Sequence, residues 1–232
     1  MMHHRARLVV VAIAALATAC DDATTLPILD DPASVRIVNA ADIPNVEVRL
    51  LGESTFLVQD LDFRGQTATC VQVPSGEQAF VFTSGGIELT TAIGDLEGDQ
   101  AYTVFLTAFG PTRRAVVVPD DMAAPSGFNL LRFVNGTSTI GDVYVTPPST
   151  APAPAFQAQG NLPTLWSGNV IPAYVARSVD HVQVRLFDPG TTTNPRADIS
   201  LSNLPATRAA SVVFVNAGVP AGPTAFIVTP CP

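Results

Sequence analysis

Short runs in which apolar and polar residues alternate dominate the chain from residue 34 onward. Turn residues such as Pro74-Ser75-Gly76 and Ser84-Gly85-Gly86 separate these runs, a spacing typical of a β-sandwich. No window shows the apolar periodicity of an amphipathic helix, so the sequence predicts an all-β fold with very little helix. The clearest predicted strands are 35–39, 46–50, 67–73, 78–83, 101–108 and 114–118.

Three segments of this pattern occur twice. The first copies are VRIVN at 35–39, VEV at 46–48 and LEGDQAYTVFL at 96–106; the second are LRFVN at 131–135, VYV at 143–145 and LPATRAASVVF at 204–214. The repeat predicts two tandem β-sandwich domains, 34–118 and 129–232, with a linker at 119–128. Because the offset between the copies grows along the chain, we expect an insertion in the second domain, and the proline-rich segment 147–172 is the candidate.

The repeated motifs resemble a known family. VRIVNA at 35–40, VPSG at 73–76 and LEGDQAYTV at 96–104 are similar to the domain of unknown function family 4397. The resemblance implies an immunoglobulin-like fold, in exported bacterial proteins that often carry tandem copies and are often lipoproteins, and it implies no activity. The second copy departs from the pattern, since Ala210 stands where Tyr102 would be and VPSG has no counterpart between Tyr174 and His181.

The first twenty residues have the features of an export signal. Arg5 and Arg7 precede an unbroken apolar run at 8–16, and Ala17-Thr18-Ala19 leads to Cys20. Small residues before a cysteine resemble the bacterial lipobox, so we expect a signal peptide at 1–19 and lipidation of Cys20. The apolar run is too short to cross a bilayer, and a plain secretory signal is the alternative.

The residues that follow predict how the folded part sits at the membrane. The segment 20–33 is rich in aspartate and has no periodic apolar pattern, which is typical of an extended tether. We therefore expect a protein of the bacterial cell envelope, held at the periplasmic face or the cell surface through the lipid on Cys20. The sequence leaves open which membrane holds it.

Charge excludes one class of partner. Removing Arg5 and Arg7 from the 12 basic residues leaves ten against 20 acidic ones, a formal charge of −10, and the chain has no lysine. Nucleic acids and anionic membrane surfaces are bound by clustered basic residues. The composition therefore predicts no nucleic-acid binding, and the lipid is the expected contact with the membrane.

Few residues could carry catalysis. His181 is the one histidine outside the signal, and we expect it on the solvent face of a strand at 180–187. No nucleophile elbow or metal-ligand spacing accompanies it, so we expect no catalytic residues, no metal and no cofactor. Asp95, Glu97 and Asp99 have only a superficial likeness to a calcium loop. The acidic pairs 30–31 and 120–121 are expected to be solvated linker charges.

Aromatic residues of the second domain are the remaining candidates for ligand binding. Phe156 and Trp166 lie in the proline-rich insertion, expected as a surface loop, and Tyr174 follows it. Exposed rings can stack on sugars, whereas a single tryptophan more often fills a core. The sequence thus favours a lipid-anchored, non-catalytic binding or structural module whose partner is an unknown envelope protein or glycan. A carbohydrate-binding module and, less favoured, a hydrolase are the alternatives.

Two further predictions concern structural residues. Cys70 and Cys231 remain after lipidation, and in an oxidising compartment we expect them to pair, with an intermolecular bond as the alternative. The spacing Leu96-x-Gly98-x-x-x-Tyr102 predicts a corner in which the tyrosine hydroxyl binds upstream backbone. Otherwise Tyr102 is simply a half-buried aromatic.

Overall fold

Strands form at nearly every alternating run. The computed structural model describes residues 31–120, 124–165, 173–202, 204, 209–216 and 223–231. Signal peptide 1–19, Cys20, most of the tether and Trp166 lie outside these ranges. The strands of the first half are β1 (Ala33–Asn39), β2 (Val46–Leu50), β3 (Phe56–Leu61), β4 (Val71–Val73), β5 (Gly76–Ser84), β6 (Ile87–Leu96), β7 (Ala101–Phe109) and β8 (Thr112–Pro119).

The second half adds eight strands within the described residues. They are β9 (Phe128–Gly136), β10 (Gly141–Thr146), β11 (Gln157–Leu162), β12 (Val175–Ser178), β13 (Gln183–Phe187), β14 (Ala197–Ser200), β15 (Ala209–Asn216) and β16 (Pro223–Val228). The helical structure among the described residues is one 3₁₀ turn, Pro154–Phe156. The predicted all-β class is confirmed. No described helix is long and apolar enough to span a membrane.

The strands form four sheets of four. Sheet A has the order β4-β1-β7-β8, sheet B β3-β2-β5-β6, sheet C β12-β9-β15-β16 and sheet D β11-β10-β13-β14. In sheet A β1 runs parallel to β7, and in sheet C β9 runs parallel to β15, while the other pairings are antiparallel. Sheets A and C therefore repeat one topology, as do B and D. The assignment of the two sheet pairs as separate immunoglobulin-like domains stays a prediction.

Each sheet pair encloses a core of its own. Residues such as Val35 and Ile37 of β1 pack with Phe80 and Phe82 of β5 between sheets A and B. Leu131 and Phe133 occupy the matching positions between sheets C and D. Because side chains alternate along a strand, the intervening residues of β1 and β9 point away from these cores, toward the other sheet pair.

The face between the two sheet pairs is a third core. Its apolar members are Val38, Ala40, Phe105, Val118, Val134, Leu165, Val213, Val215 and Val228. The central strands of sheets A and C are thus buried on both faces, as is usual for strands with parallel neighbours. The sequence analysis, which predicted two sandwiches joined by a linker, did not predict this burial.

The proline-rich insertion is only partly a loop. Strand β11 lies inside it and pairs antiparallel with β10 through Val143 and Gln159. The prediction of a loop throughout 147–172 was therefore wrong for this stretch. Pro154 and Pro163 flank the strand, so the peptide N–H groups between them are free to donate to a neighbour.

Candidate functional site

A buried ion pair joins the two sheet pairs. A guanidinium nitrogen of Arg132, on β9, contacts Asp120 Oδ1, directly after β8. Arg132 Nη1 also donates to the Pro119 carbonyl at 3.2 Å. Thr103 Oγ1 donates to Asp120 Oδ2 at 2.7 Å, which satisfies the second carboxylate oxygen. The expectation that Asp120 is a solvated linker charge was wrong, because burial of Arg132 requires a nearby anion.

Tyr174 completes this junction cluster, which we define as Thr103, Asp120, Arg132 and Tyr174. The Arg132 guanidinium lies 4.2 Å from the ring centroid of Tyr174, a cation–π distance. Arg132 Nη2 donates to Tyr174 Oη at 2.5 Å, and Tyr174 Oη donates to Asp120 Oδ1 at 3.1 Å. Burial raises the pKa of the Tyr174 phenol, an effect that the charge of Arg132 partly offsets. Tyr174 is therefore held within the junction, with one ring face against a cation.

Arg36 is the counterpart of Arg132 in the first repeat, and it also lies in this junction. Its Nε donates to the Thr229 carbonyl at 3.0 Å, and Nη1 donates to the Thr67 carbonyl. Burial lowers the pKa of Arg36, and the Asp120 carboxylate partly offsets that effect. The same strand position in both repeats thus supplies a cation to the shared face, and Asp120 acts on both.

A disulfide closes the same face covalently. Cys70, before β4, is bonded to Cys231, after β16, with their Cα atoms 5.8 Å apart. The bond links residues 161 positions apart and therefore connects the first sheet pair to the end of the second. Cys231 is fully buried. In the chain-entropy model a loop of this length contributes ~5 kcal/mol of stability, less any strain.

The predicted binding aromatics are not brought together by any described contact. Phe156 ends the 3₁₀ turn and is half-buried, with its ring edge-on to His181 at a centroid distance of 5.3 Å. Tyr174 belongs to the junction cluster. Trp166 lies outside the described residues, so the three-ring platform stays a prediction.

His181 lies in a turn and not within a strand. It precedes β13, so its predicted strand position was wrong, although Val184 and Leu186 face the core as expected. Its Nε2 is 3.9 Å from Asp180 Oδ1, and a hydrogen bond with Ser178 lowers the pKa of that exposed carboxyl group. In a catalytic triad the imidazole lies between the hydroxyl and the carboxylate. Here the Asp180 carboxylate lies between the Ser178 hydroxyl and the His181 imidazole. The three residues form a turn without triad geometry.

The acidic loop before β7 has a structural role. The Glu97 N–H donates to Tyr102 Oη at 2.9 Å, as the predicted tyrosine corner requires. A shallow cavity beside the loop is lined in part by Asp31, Glu97 and Asp99. Within the described residues no group of three or more His, Cys, Asp or Glu side chains has a geometry that could hold a metal.

A protein-family comparison supports the resemblance seen in the sequence. The model of the domain of unknown function DUF4397 matches residues 33–146. The match extends from the first residue of β1 to the last residue of β10. It therefore covers the first sheet pair, the junction residues Asp120 and Arg132, and the first two strands of the second pair. The family description carries no activity.

Comparisons with individual proteins add little. No curated protein matches the sequence. Among solved structures, a carbohydrate-binding module of family CBM26 from Eubacterium rectale Amy13K, crystallised with maltoheptaose, is similar at 11% identity. The alignment covers 86% of this chain and 98% of that chain, with a TM-score of 0.25. A likeness this weak bears on neither ligand nor mechanism.

Proposed function

We propose that this protein is a lipid-anchored component of the bacterial cell envelope that acts as a rigid, non-catalytic binding or structural module. The observation that carries the proposal is the buried junction between the sheet pairs, closed by the Asp120–Arg132 ion pair and the Cys70–Cys231 disulfide. Such a junction would keep the outer surfaces of the two sheet pairs at a fixed distance and orientation to each other. Such a body suits presentation of a surface to a partner.

The disulfide supports an extracytoplasmic location. Structural disulfides persist in oxidising compartments such as the bacterial periplasm and the cell surface. This agrees with the export signal expected at 1–19, and lipidation of Cys20 would leave the remaining two cysteines to pair with each other. Two or more acyl chains give stable membrane attachment, and the acidic tether would keep the folded body clear of the headgroups.

The arrangement of charged groups supports a non-catalytic role. Two buried ionisable groups, Asp120 and Arg132, bind each other and neighbouring side chains across the junction. Their contacts join the two sheet pairs. His181, the candidate base, packs against Phe156 in a turn that lacks triad order.

Anchoring is tested by labelling cells with an alkyne-tagged fatty acid and partitioning the envelope in a phase-separating detergent. We expect the wild-type protein to incorporate the label and enter the detergent phase. Cys20→Ser should lose the label and move to the aqueous phase, while Thr18→Ala, which keeps the cysteine, should behave as wild type. An unlabelled wild-type protein in the aqueous phase would contradict the anchor.

A carbohydrate-binding module is the second candidate. It is favoured by the partly exposed Phe156 ring, which lies on the same segment of the chain as Trp166. Affinity electrophoresis in gels containing soluble polysaccharides tests this function. Retardation that Phe156→Ala and Trp166→Ala each abolish would support it, and mobility unaffected by every polysaccharide would exclude it.

A further inference from the structure

The outer face of sheet B has an exposed apolar band. We define this band as Leu51, Phe56, Ala79 and Ile93. Core residues such as Val48, Phe80 and Ala92 lie at alternate positions, so the band residues point to the opposite side of the sheet. Leu51 is 68% exposed and Ile93 is 66% exposed, which makes them two of the most exposed large apolar residues described.

Strand register makes the band continuous. The Leu51 N–H donates to the Ala79 carbonyl at 2.8 Å, and Ala79 pairs with Ile93, so three chain segments contribute to one row. Phe56 lies in the adjacent row opposite Arg49, and Val81, the next residue of that row, is buried. Side chains directly opposite each other on neighbouring strands are in contact range. A contiguous exposed apolar surface of this kind usually marks an interaction site.

Acidic residues border the band at both ends. Glu77 pairs with Asp95 beyond the Leu51 row. Glu47 and Glu88 both pair with Thr83 beyond the Phe56 row. Arg49 is the basic residue of this face, and its guanidinium is directed to the carbonyls of Leu50 and Glu53. The face is therefore apolar at its centre and negatively charged at its margins.

The equivalent face of sheet D is covered by the chain itself. Asp142, Tyr144 and Thr146 of β10 point away from the second core, yet all three are buried. Arg185 Nη1 donates to the carbonyl of Thr150 at 2.8 Å, which holds the connection after β10 over this sheet. The connection between β10 and β11 spans 147–156, whereas that between β2 and β3 spans only 51–55. The shorter connection cannot fold back over sheet B.

We propose that the outer face of sheet B binds a segment of a partner protein that has apolar residues at its centre and arginine or lysine at both ends. The apolar centre matches the band, and the basic ends match the acidic margins. If a second copy of this chain bound here, the acidic margins of the two copies would repel each other. The aspartate-rich tether would be repelled by the same margins. The inference rests on the proposed non-catalytic role and specifies its partner.

The test uses two synthetic peptides with the same apolar centre, one flanked by arginines and the other by glutamates. Isothermal titration calorimetry with the full protein, purified from membranes in detergent, should show binding of the arginine peptide alone, weakened by salt. Leu51→Ser and Ile93→Ser should each reduce affinity at least about tenfold. Val179→Ser, at another exposed apolar residue, is the matched control and should bind as wild type.

Several outcomes would overturn this inference. They are equal binding of both peptides, no binding, unchanged affinity in Leu51→Ser and Ile93→Ser, or a concentration-dependent dimer in sedimentation that Ile93→Ser dissociates. Partition of the same preparation between detergent and water reports separately on anchoring. An anchored protein that binds neither peptide contradicts only this inference, while a peptide-binding protein in the aqueous phase contradicts only the anchor.

Discussion

Asp120 and Arg132 form an ion pair from which solvent is almost excluded: their side chains are 0% and 1% exposed. The aspartate follows the last strand of the first sheet pair and the arginine lies on the first strand of the second. The stretch predicted as a linker, 119–128, therefore begins beside a fixed electrostatic contact. This contact joins sheets A and C across the face between the two sheet pairs.

Removing one partner of this pair should destabilise the protein strongly. Asp120→Ala leaves the Arg132 cation buried without its anion, and we expect the free energy of unfolding to fall by about 3–5 kcal/mol. Denaturant titration measures the loss. Asp198→Ala removes the more exposed partner of Arg185, 3.4 Å away, and should cost at most ~1 kcal/mol. Equal losses in the two variants would show that the buried Asp120–Arg132 pair contributes no more to the free energy of unfolding than an exposed pair.

Stability should also depend on the ionisation of Tyr174. Burial raises the pKa of this phenol in the folded protein. A group whose pKa is higher when folded contributes stability below its unfolded pKa of about 10 and loses it as pH rises through the folded value. Unfolding measured across this alkaline range should show the loss in wild type and a smaller loss in Tyr174→Phe. An identical alkaline profile for both would contradict the assignment.

The disulfide gives a prediction that mass spectrometry and unfolding can check together. The mature protein should have no alkylatable thiol before reduction and two after it, with Cys20 blocked by lipid. Replacing both Cys70 and Cys231 with Ala should reduce stability by up to ~5 kcal/mol, because the bond closes a loop of 161 residues. Two free thiols in the unreduced protein, or a reducible dimer, would disprove the intrachain bond.

The tyrosine corner should contribute a single hydrogen bond. Tyr102→Phe removes the acceptor of the Glu97 N–H while keeping the ring, so we expect a loss of about 0.5–1.5 kcal/mol. Tyr144→Phe is the matched control, since no described hydrogen bond involves its hydroxyl group. If both variants lose the same free energy of unfolding, the Tyr102 hydroxyl makes no stabilising hydrogen bond and the ring contributes only by packing.

How far the sequence predicted this structure depends on which face of a strand is considered. The alternation of Val46–Leu50 gives β2 with its observed bounds, and the parity around Val71 and Val73 gives the correct inward face. In VRIVN and LRFVN, however, Arg36 and Arg132 occupy positions that alternation assigns to solvent. Both arginines are buried, because a second sheet pair covers that face.

A usable indication of this second layer was present in the sequence. Apolar residues occupy both parities in the stretch that contains Val212, Val213, Phe214 and Val215, which is typical of a strand buried on two faces. The ion partner of Arg132 could not be found in the same way, since nothing local marks Asp120 as buried. Strand β11 was missed because the prolines around it dominate the composition of the segment.

Differential scanning calorimetry of the intact protein tests the central claim most directly. If the junction makes the two sheet pairs one rigid body, heat should unfold them in a single transition whose calorimetric and van't Hoff enthalpies agree. With the disulfide kept oxidised, Asp120→Ala should lower the temperature of that transition. Two separate transitions in the oxidised wild-type protein would contradict the claim, because they would show that the sheet pairs unfold independently.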